Sequence, residues 1–371
     1  MKILIAVNHS YPHVGGCEVV TKHIAESLVK DYGHQVTIIS GTTQREFEHN
    51  KVSYIGMHNT YKLFSDYINS EKFDHLFVYS DYFKYWNEIL NNFNSIKTNV
   101  SIALVGMNQM LAKRELFNKF RTLKDKIKVI THSNNYIDYK MCNKYNISVS
   151  VIPNGIDIEE FNSNYSVVSS RITKEENSPV LLNVANFFPG KGQDHIIKII
   201  EILSKKHDIN PTFVQINSKT DLGISNLLRD KYLNLLSQSN KFNAYMFSNL
   251  TREQTVAFFL MSDIFLFTSL KEVAPVVILE SMAAKTPWIS TEVGNVSTLQ
   301  GGIIIPSGYD AHGNVNFNGM IYNKFAEEIS NLWRDRDLYN SLKDKGYNDI
   351  VSNYSWKNIV KEYNVIFKKS R

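Results

Sequence analysis

Thr268-Ser269-Leu270-Lys271-Glu272-Val273-Ala274-Pro275-Val276-Val277-Ile278-Leu279-Glu280-Ser281-Met282-Ala283-Ala284 is the most informative stretch of this 371-residue chain. Ile264 to Thr268 reads as a strand buried on both faces. A loop carrying Glu272 follows. Pro275 stands where a helix over Val276 to Ala284 should begin, a position that tolerates its missing N–H. The free N–H groups of that first turn, together with the helix dipole, form an anion site. Glu280 lies one turn further in, where a carboxylate suits sugar hydroxyls better than phosphate. On spacing alone Glu280 could equally be a surface helix residue and Glu272 an ordinary loop residue. Val276, Val277, Leu279, Met282 and Ala283 leave little exposed surface around Glu280, however, and a buried carboxylate needs a partner.

Outward from this stretch the same rhythm recurs. Ile3 to Val7 is a short apolar run, followed by a polar loop with Gly15-Gly16, a helical pattern up to Gly33 and a second strand at Val36 to Ile39. This βαβ opening predicts parallel strands. Similar runs return at Leu76 to Tyr79, Val100 to Leu104 and Val129 to Thr131. Ile156 to Pro179, rich in Asn, Ser and Glu, breaks the pattern and reads as a linker. The alternation then restarts with strands at Val180 to Val184, Thr212 to Ile216, Trp288 to Ser290 and Ile303 to Ile305. Helices are expected at Gln193 to Lys206, Asn323 to Arg336, Leu338 to Asn353 and Trp356 to Lys369. The expectation is therefore an α/β protein of two Rossmann-like doubly wound domains, residues 1–157 and 178–354, facing a central cleft.

Composition narrows the class. At roughly 150 residues per domain the length fits two domains. Hydrophobic residues make up 43% and charged residues 21%, which excludes a wholly disordered, collagen-like or coiled-coil chain. A net charge of +5 is too mild to imply nucleic acid. The only cysteines, Cys17 and Cys142, make neither a disulfide framework nor a CxxC metal pattern. The apolar stretch at the start is too short for a signal peptide and has no cleavage site, and no apolar run approaches the roughly 18 residues of a membrane span. A cytoplasmic location is expected, with membrane attachment only at the surface.

Two further stretches can meet an anion. Asn183-Val184-Ala185-Asn186-Phe187-Phe188-Pro189-Gly190-Lys191-Gly192 runs from a strand end through a turn into a helix, and puts Lys191 on the same strand-end face as Glu272. Gly15-Gly16 is neither GxGxxG nor a P-loop, but it allows close backbone approach to a phosphate. Glu272-x7-Glu280, the Pro-Gly-Lys-Gly turn, the Gly-Gly loop and Ile152-Pro153-Asn154-Gly155-Ile156-Asp157 together resemble the retaining glycosyltransferases of the GT-B fold, group 1 (family 4). The resemblance covers nearly the whole chain and is strongest over Val180 to Ile305 and Val151 to Phe161.

That resemblance implies a retaining transferase moving a hexose or N-acetylhexosamine from a nucleotide sugar, a UDP-sugar before a GDP-sugar, to a growing cell-surface glycan or lipid-linked acceptor. It implies that Glu272 positions the donor sugar and Lys191 neutralises the departing diphosphate. The backbone from Val273 through Ala274 and Pro275 to Val276 would contact sugar and phosphate. Glu280 would hold the ribose hydroxyls, and Gly15 and Gly16 would approach the phosphate from the first domain. No metal or other cofactor is expected: Lys191, backbone N–H groups and a helix N-terminus would stabilise the leaving group. Asp335-Arg336-Asp337, with metal-motif spacing, lies between predicted helices and is assigned to solvent. In the family the last helix, about 355–371, crosses back onto the first domain.

The sequence departs from the family at two places. Asn186 stands where Arg is usual, which raises the alternative of a non-catalytic sugar-nucleotide-binding subunit. Val105-Gly106-Met107-Asn108 occupies the place of a His that faces the donor sugar, with Asn108 as a weak substitute; His132 reads as a satisfied loop residue, and His9 and His13 have no distinguishing signal. A nucleotide-sugar epimerase is not favoured by the Glu pair, and a periplasmic binding protein lacks its signal peptide. Lys113 to Lys128 carries +5 and Trp356 to Arg371 carries +4. These basic helices would suit an anionic membrane or a lipid diphosphate, or else are ordinary solvated helices packed by their apolar faces.

Overall fold

Ile3, Leu4, Ile5 and Ala6 are fully buried, as a central parallel strand requires. They belong to β1 (Lys2–Val7), which leads into α1 (Gly16–Tyr32). Gly33 ends α1 in the left-handed region, its N–H reaching the carbonyls of Leu28 and Val29. The computed structural model describes residues 1–13, 15–41, 43, 45–56, 64–79, 89–106, 118, 121–123, 125–162, 171–174, 177–217, 223–237, 242–310 and 313–368. The chain divides into two units, Met1–Gly155 with Tyr354–Arg371, and Ile156–Asn353.

In the first unit β2 (Gln35–Ser40), β3 (Phe47–His49), β4 (Val52–Gly56), α2 (Phe64–Ser70), β5 (His75–Tyr79), β6 (Asn99–Leu104), β7 (Ile127–Thr131), α3 (Ile137–Lys144) and β8 (Val149–Val151) follow in order. The sheet order is β3-β4-β2-β1-β5-β6-β7-β8. Only the β3–β4 pair is antiparallel. Strand order reverses between β1 and β5, so the loop with Gly15-Gly16 leaves the sheet at its switch point.

The second unit holds β9 (Val180–Val184), α4 (Gln193–His207), β10 (Thr212–Asn217), α5 (Gly223–Ser237), β11 (Asn243–Ser248), α6 (Arg252–Met261), β12 (Ile264–Phe267), α7 (Val276–Ala283), β13 (Trp288–Thr291), β14 (Gly302–Ile305), α8 (Gly319–Arg334) and α9 (Arg336–Asp349). Its sheet is parallel throughout, in the order β11-β10-β9-β12-β13-β14. The switch point falls between β9 and β12. The expected linker is in part a packed element of this unit: Glu159–Phe161 forms a 3-10 turn, with Ile156 and Phe161 buried. Two doubly wound parallel-sheet domains are the architecture expected from the alternating pattern.

After α9 a π-helical turn, Ile350–Tyr354, carries the chain to α10 (Trp356–Lys368), which lies in the first unit. Trp356, Ile359, Val360, Tyr363 and Phe367 are its buried face, each worth about 1.5–3 kcal/mol relative to exposure. Trp356 stacks on His23 at 5.1 Å and also lies against Gly155, where a Cβ would come within 2.6 Å of the indole ring. The glycine of the Pro-Asn-Gly-Ile-Asp motif therefore makes room for the returning helix. Among the described residues no helix is long and apolar enough to cross a membrane.

Three buried histidines hold this unit together in the neutral form. His34 Nε2 meets Asn364 Oδ1 at 2.8 Å, and His75 Nε2 meets the Ser101 hydroxyl at 2.8 Å under the ring of Phe367. His132 donates Nδ1–H to the Ile152 carbonyl at 2.7 Å. Burial lowers all three, His75 to about 3 and His132 to about 4 from the ordinary 6.5. Below pH 6.5 the unfolded chain gains protons that the fold refuses, so stability present above 6.5 is lost as pH falls towards those values. For His75 and His132 the loss is about 1.4 kcal/mol per pH unit between 6.5 and their folded values. Urea unfolding at pH 7.5, 6 and 5 should show a stepwise fall, and a flat profile would contradict neutral burial.

Candidate functional site

The switch point of the second sheet brings together two loops far apart in sequence. After β9 the turn Pro189-Gly190-Lys191-Gly192 leads into α4, and after β12 the Glu272 loop leads into α7. Backbone and side chain stitch them: Leu270 N donates to Gly190 O at 2.7 Å, and the Thr268 hydroxyl donates to Gly192 O at 2.8 Å. Lys191 Nζ then donates to Glu272 Oε1 at 2.6 Å. Both side chains keep some exposure, 32% for Lys191 and 16% for Glu272, so the pair is open to a ligand. Two of the three Lys191 ammonium protons have no protein acceptor among the described residues.

Pro275 stands immediately before the helix, which begins at Val276 as its sequence position predicts. It is the N-cap of α7, at φ −70° and ψ 114°, and Val276 is the first helical residue. A proline there offers no side-chain oxygen to the first-turn N–H groups, so the helix end has no side-chain cap and is a candidate anion site. Val273, Ala274, Pro275 and Val276 thus form the edge of that site. Behind them the turn after β13 presses close. Asn295 N donates to Val273 O at 3.0 Å, and Gly294, at φ +56°, lies so near that a Cβ would run into the carbonyls of Val273 and Glu272. Gly294 is a residue that strand-and-helix periodicity does not single out.

Glu280, on α7, is 8% exposed, and its partner is Arg252. Arg252 is the first residue of α6, inside the Thr251–Gln254 capping box. Its Nη1 donates to Glu280 Oε1. Its Nε and Nη2 donate to Glu160 Oε2 at 2.9 and 2.6 Å, and its guanidinium lies 5.6 Å over the ring of Phe161. Burial opposes the charge on Arg252, but Glu280 and then Glu160 outweigh it, and its pKa is raised. The apolar surroundings of Glu280 signal a cation partner; its identity does not show in sequence because Arg252 lies 28 positions away on another helix.

The other expected residues fall as follows. Asn186 is half-buried beside the Lys191 turn, its carbonyl accepting from Gln193 Nε2 at 2.7 Å. Gly15 is the N-cap of α1 and Gly16 its first residue, with nothing within 4 Å of a Cβ built on Gly16. The Glu18 carboxylate turns back towards Gly15, so an acid already stands at that helix end. His132 is buried against Tyr79 at 5.3 Å, its Nδ1 satisfied, while Nε2 has no partner among the described residues. His9 and His13 are exposed, edge to face at 6.1 Å. Gly106 N donates to Asp138 at 2.9 Å. Met107, Asn108 and most of the basic stretch from Lys113 to Lys124 lie outside the described residues, as do Lys369 and Arg371. Asp335 is the N-cap of α9, accepting from Leu338 N at 2.9 Å, which gives Asp335-Arg336-Asp337 a structural use.

Residues 168–349, within the second unit, match the family model described as glycosyl transferases group 1. No curated protein sequence matches the chain. Among solved structures, a glycosyltransferase from Rickettsia africae superposes with TM-score 0.74 at 18% identity, covering 99% of this chain and 98% of that one. Sucrose-phosphate synthase from Thermosynechococcus elongatus gives 0.78 at 13% identity, covering 99% and 98%. Anabaena HepE, in complex with UDP and glucose, gives 0.73 at 14% identity, covering 100% of both chains. The fold is the GT-B architecture of two α/β domains.

The close packing behind the α7 loop is directly testable. Gly294→Ala adds a methyl against backbone at a positive φ and should destabilise the protein by more than about 1 kcal/mol in urea unfolding. Gly16→Ala, with open space in front of it, should leave the unfolding midpoint unchanged. Equal behaviour of the two variants would contradict this packing.

Proposed function

We propose that the protein is a retaining glycosyltransferase that moves a hexose or N-acetylhexosamine from a UDP-sugar to a glycan or lipid-linked acceptor at the cytoplasmic face of a membrane. The observation that carries the reading is the ion pair of Lys191 with Glu272 beside the uncapped N-terminus of α7, on the stretch that matches the group 1 model. Each part has a chemical use. Breaking a sugar–phosphate bond builds negative charge on the nucleoside diphosphate. Lys191 and the first-turn N–H groups around Val276 stabilise that charge in place of a metal, and preformed donors of this kind are worth about 100-fold or more in rate. Glu272, released by Lys191 as the diphosphate arrives, accepts hydroxyls of the donor sugar. Glu280 keeps one carboxylate oxygen free for the ribose.

Retention follows from attack on the same face that the diphosphate leaves, with a phosphate oxygen taking the acceptor proton. Glu272 and Glu280 serve different parts of one ligand, not as a glycosidase acid and nucleophile. The UDP assignment leans on the UDP and UDP-glucose complexes of Anabaena HepE. An acidic acceptor is favoured by charge: Met1–Gly155 with Tyr354–Arg371 carries a formal +9, and Ile156–Asn353 carries −4. Gly15 and Gly16 are assigned to the phosphate by resemblance alone, and Glu18 would have to yield there. Asn186, in place of the family's Arg, motivates the second reading, a nucleotide-sugar-binding subunit without turnover.

A panel of UDP- and GDP-sugars, followed for hydrolysis and transfer, separates the two readings. Turnover with at least one donor is expected, unchanged by EDTA. Lys191→Ala should lower kcat by about 100-fold or more, and Glu272→Ala should do so comparably. Nucleotide-dependent thermal stabilisation with no turnover on any donor would favour the binding subunit. Full activity of Glu272→Ala would remove that residue's assigned role.

A further inference from the structure

Glu280 has one committed oxygen and one free one. Arg252 Nη1 occupies Oε1, while Oε2 has no protein donor among the described residues. Arg252 itself has little freedom: Glu160 Oε2 takes two of its nitrogens, and the guanidinium lies across Phe161, which packs edge-on to Phe259 at 6.4 Å. The guanidinium is thus a fork held from behind, with its third nitrogen directed at Glu280. Positive charge on the first residue of a helix is unfavourable to the dipole, so Arg252 is not where helix formation alone would put it. The two carboxylates offset that cost, one from the neighbouring helix and one from the 3-10 turn at Glu159–Phe161.

We propose that Arg252, clamped by Glu160, is a positioning residue for Glu280 that makes the nucleotide site select ribose over 2′-deoxyribose. Fixing Oε1 leaves Oε2 as an acceptor with one orientation. A vicinal diol supplies the donors it needs, and a ligand lacking one hydroxyl leaves a partly buried charged acceptor underused. Discrimination of this kind comes from the site's own unmet hydrogen bonding rather than from steric exclusion. Without Arg252, Glu280 loses its orientation, and ribose and deoxyribose become alike to it. The inference rests on the proposed nucleotide-sugar site and adds to it a residue that Glu280 works through.

The test is calorimetric binding of UDP and 2′-deoxy-UDP, with GDP and 2′-deoxy-GDP in parallel, to the full-length protein. Wild type should prefer the ribonucleotide by about tenfold or more, the size of one hydrogen bond to a charged group. Arg252→Met should weaken the ribonucleotide and leave the deoxynucleotide nearly unchanged, so that the ratio approaches one. Arg252→Lys should restore part of the ratio, and Glu160→Gln should fall between wild type and Arg252→Met. In turnover the loss should appear in the donor KM and not in kcat. A merely structural role predicts equal weakening of both nucleotides, and that result, or a wild-type ratio of one, overturns the proposal. If Arg252→Met does not fold, Arg252→Lys and Glu160→Gln decide the matter. Failure of the wild type to bind any of the four nucleotides would instead bring down the nucleotide-sugar reading itself and this inference with it.

Discussion

Lys191 and Glu272 are 81 positions apart, and their ion pair depends on one topological constraint. In a doubly wound sheet the chain leaves neighbouring strands on opposite sides only at the switch point, so two loops can meet there without a helix between them. In the second unit those strands are β9 and β12. The loop after one ends in Lys191, the loop after the other in Glu272, and the hydrogen bonds of Leu270 and Thr268 fix their separation. Around that contact the remaining features are dependent: the Pro275 cap points the α7 end at the same place, and Gly294 lets the β13 turn support it from behind.

Much of this frame is legible in sequence because buried parallel strands are short and continuously apolar. The strand at Ile264, the helix at Val276 and the β1–α1–β2 opening follow from that alone. The elements that periodicity does not show are those whose order comes from elsewhere. The β3–β4 hairpin is short and partly exposed, turning through Asn50 and Lys51, both at positive φ. β11 is an edge strand with mixed burial, Asn243–Ser248, and lacks the apolar run of its neighbours. The segment after Gly155 looks like a linker because it is polar, yet Glu159–Phe161 packs by one aromatic ring and one ion pair. Two or three anchored residues suffice to order such a segment and leave almost no trace in composition.

The candidate site divides the same way. Glu272, Glu280 and Lys191 stand out because each is a charged residue where strand, loop and helix surround it. Arg252 and Glu160 do not stand out, since each is an ordinary charge near the start of a helical turn. Only tertiary proximity gives them a use. Burial of Glu280 requires a cation, and that requirement is the sequence-level trace of Arg252. Pro275 precedes the helix at Val276, as its position in sequence predicts, and leaves the first turn without a side-chain cap.

The charge partition changes what the site must do for itself. Dividing the sequence at Asp157 gives a first part of +4 and a second of +1, because it assigns the final helix to the wrong unit. With α10 in the first unit, the second unit, which carries the proposed diphosphate contacts, is net −4. A diphosphate approaching that unit meets an unfavourable net charge, and its long-range part is screened within about 8–10 Å at physiological salt. Attraction must therefore be local, from a lysine, a helix end and their alignment at one switch point. Under the proposed function, the Lys191–Glu272 pair holds the ammonium in position, and an incoming diphosphate would replace one carboxylate with a more highly charged partner. The basic surplus lies instead on the first unit.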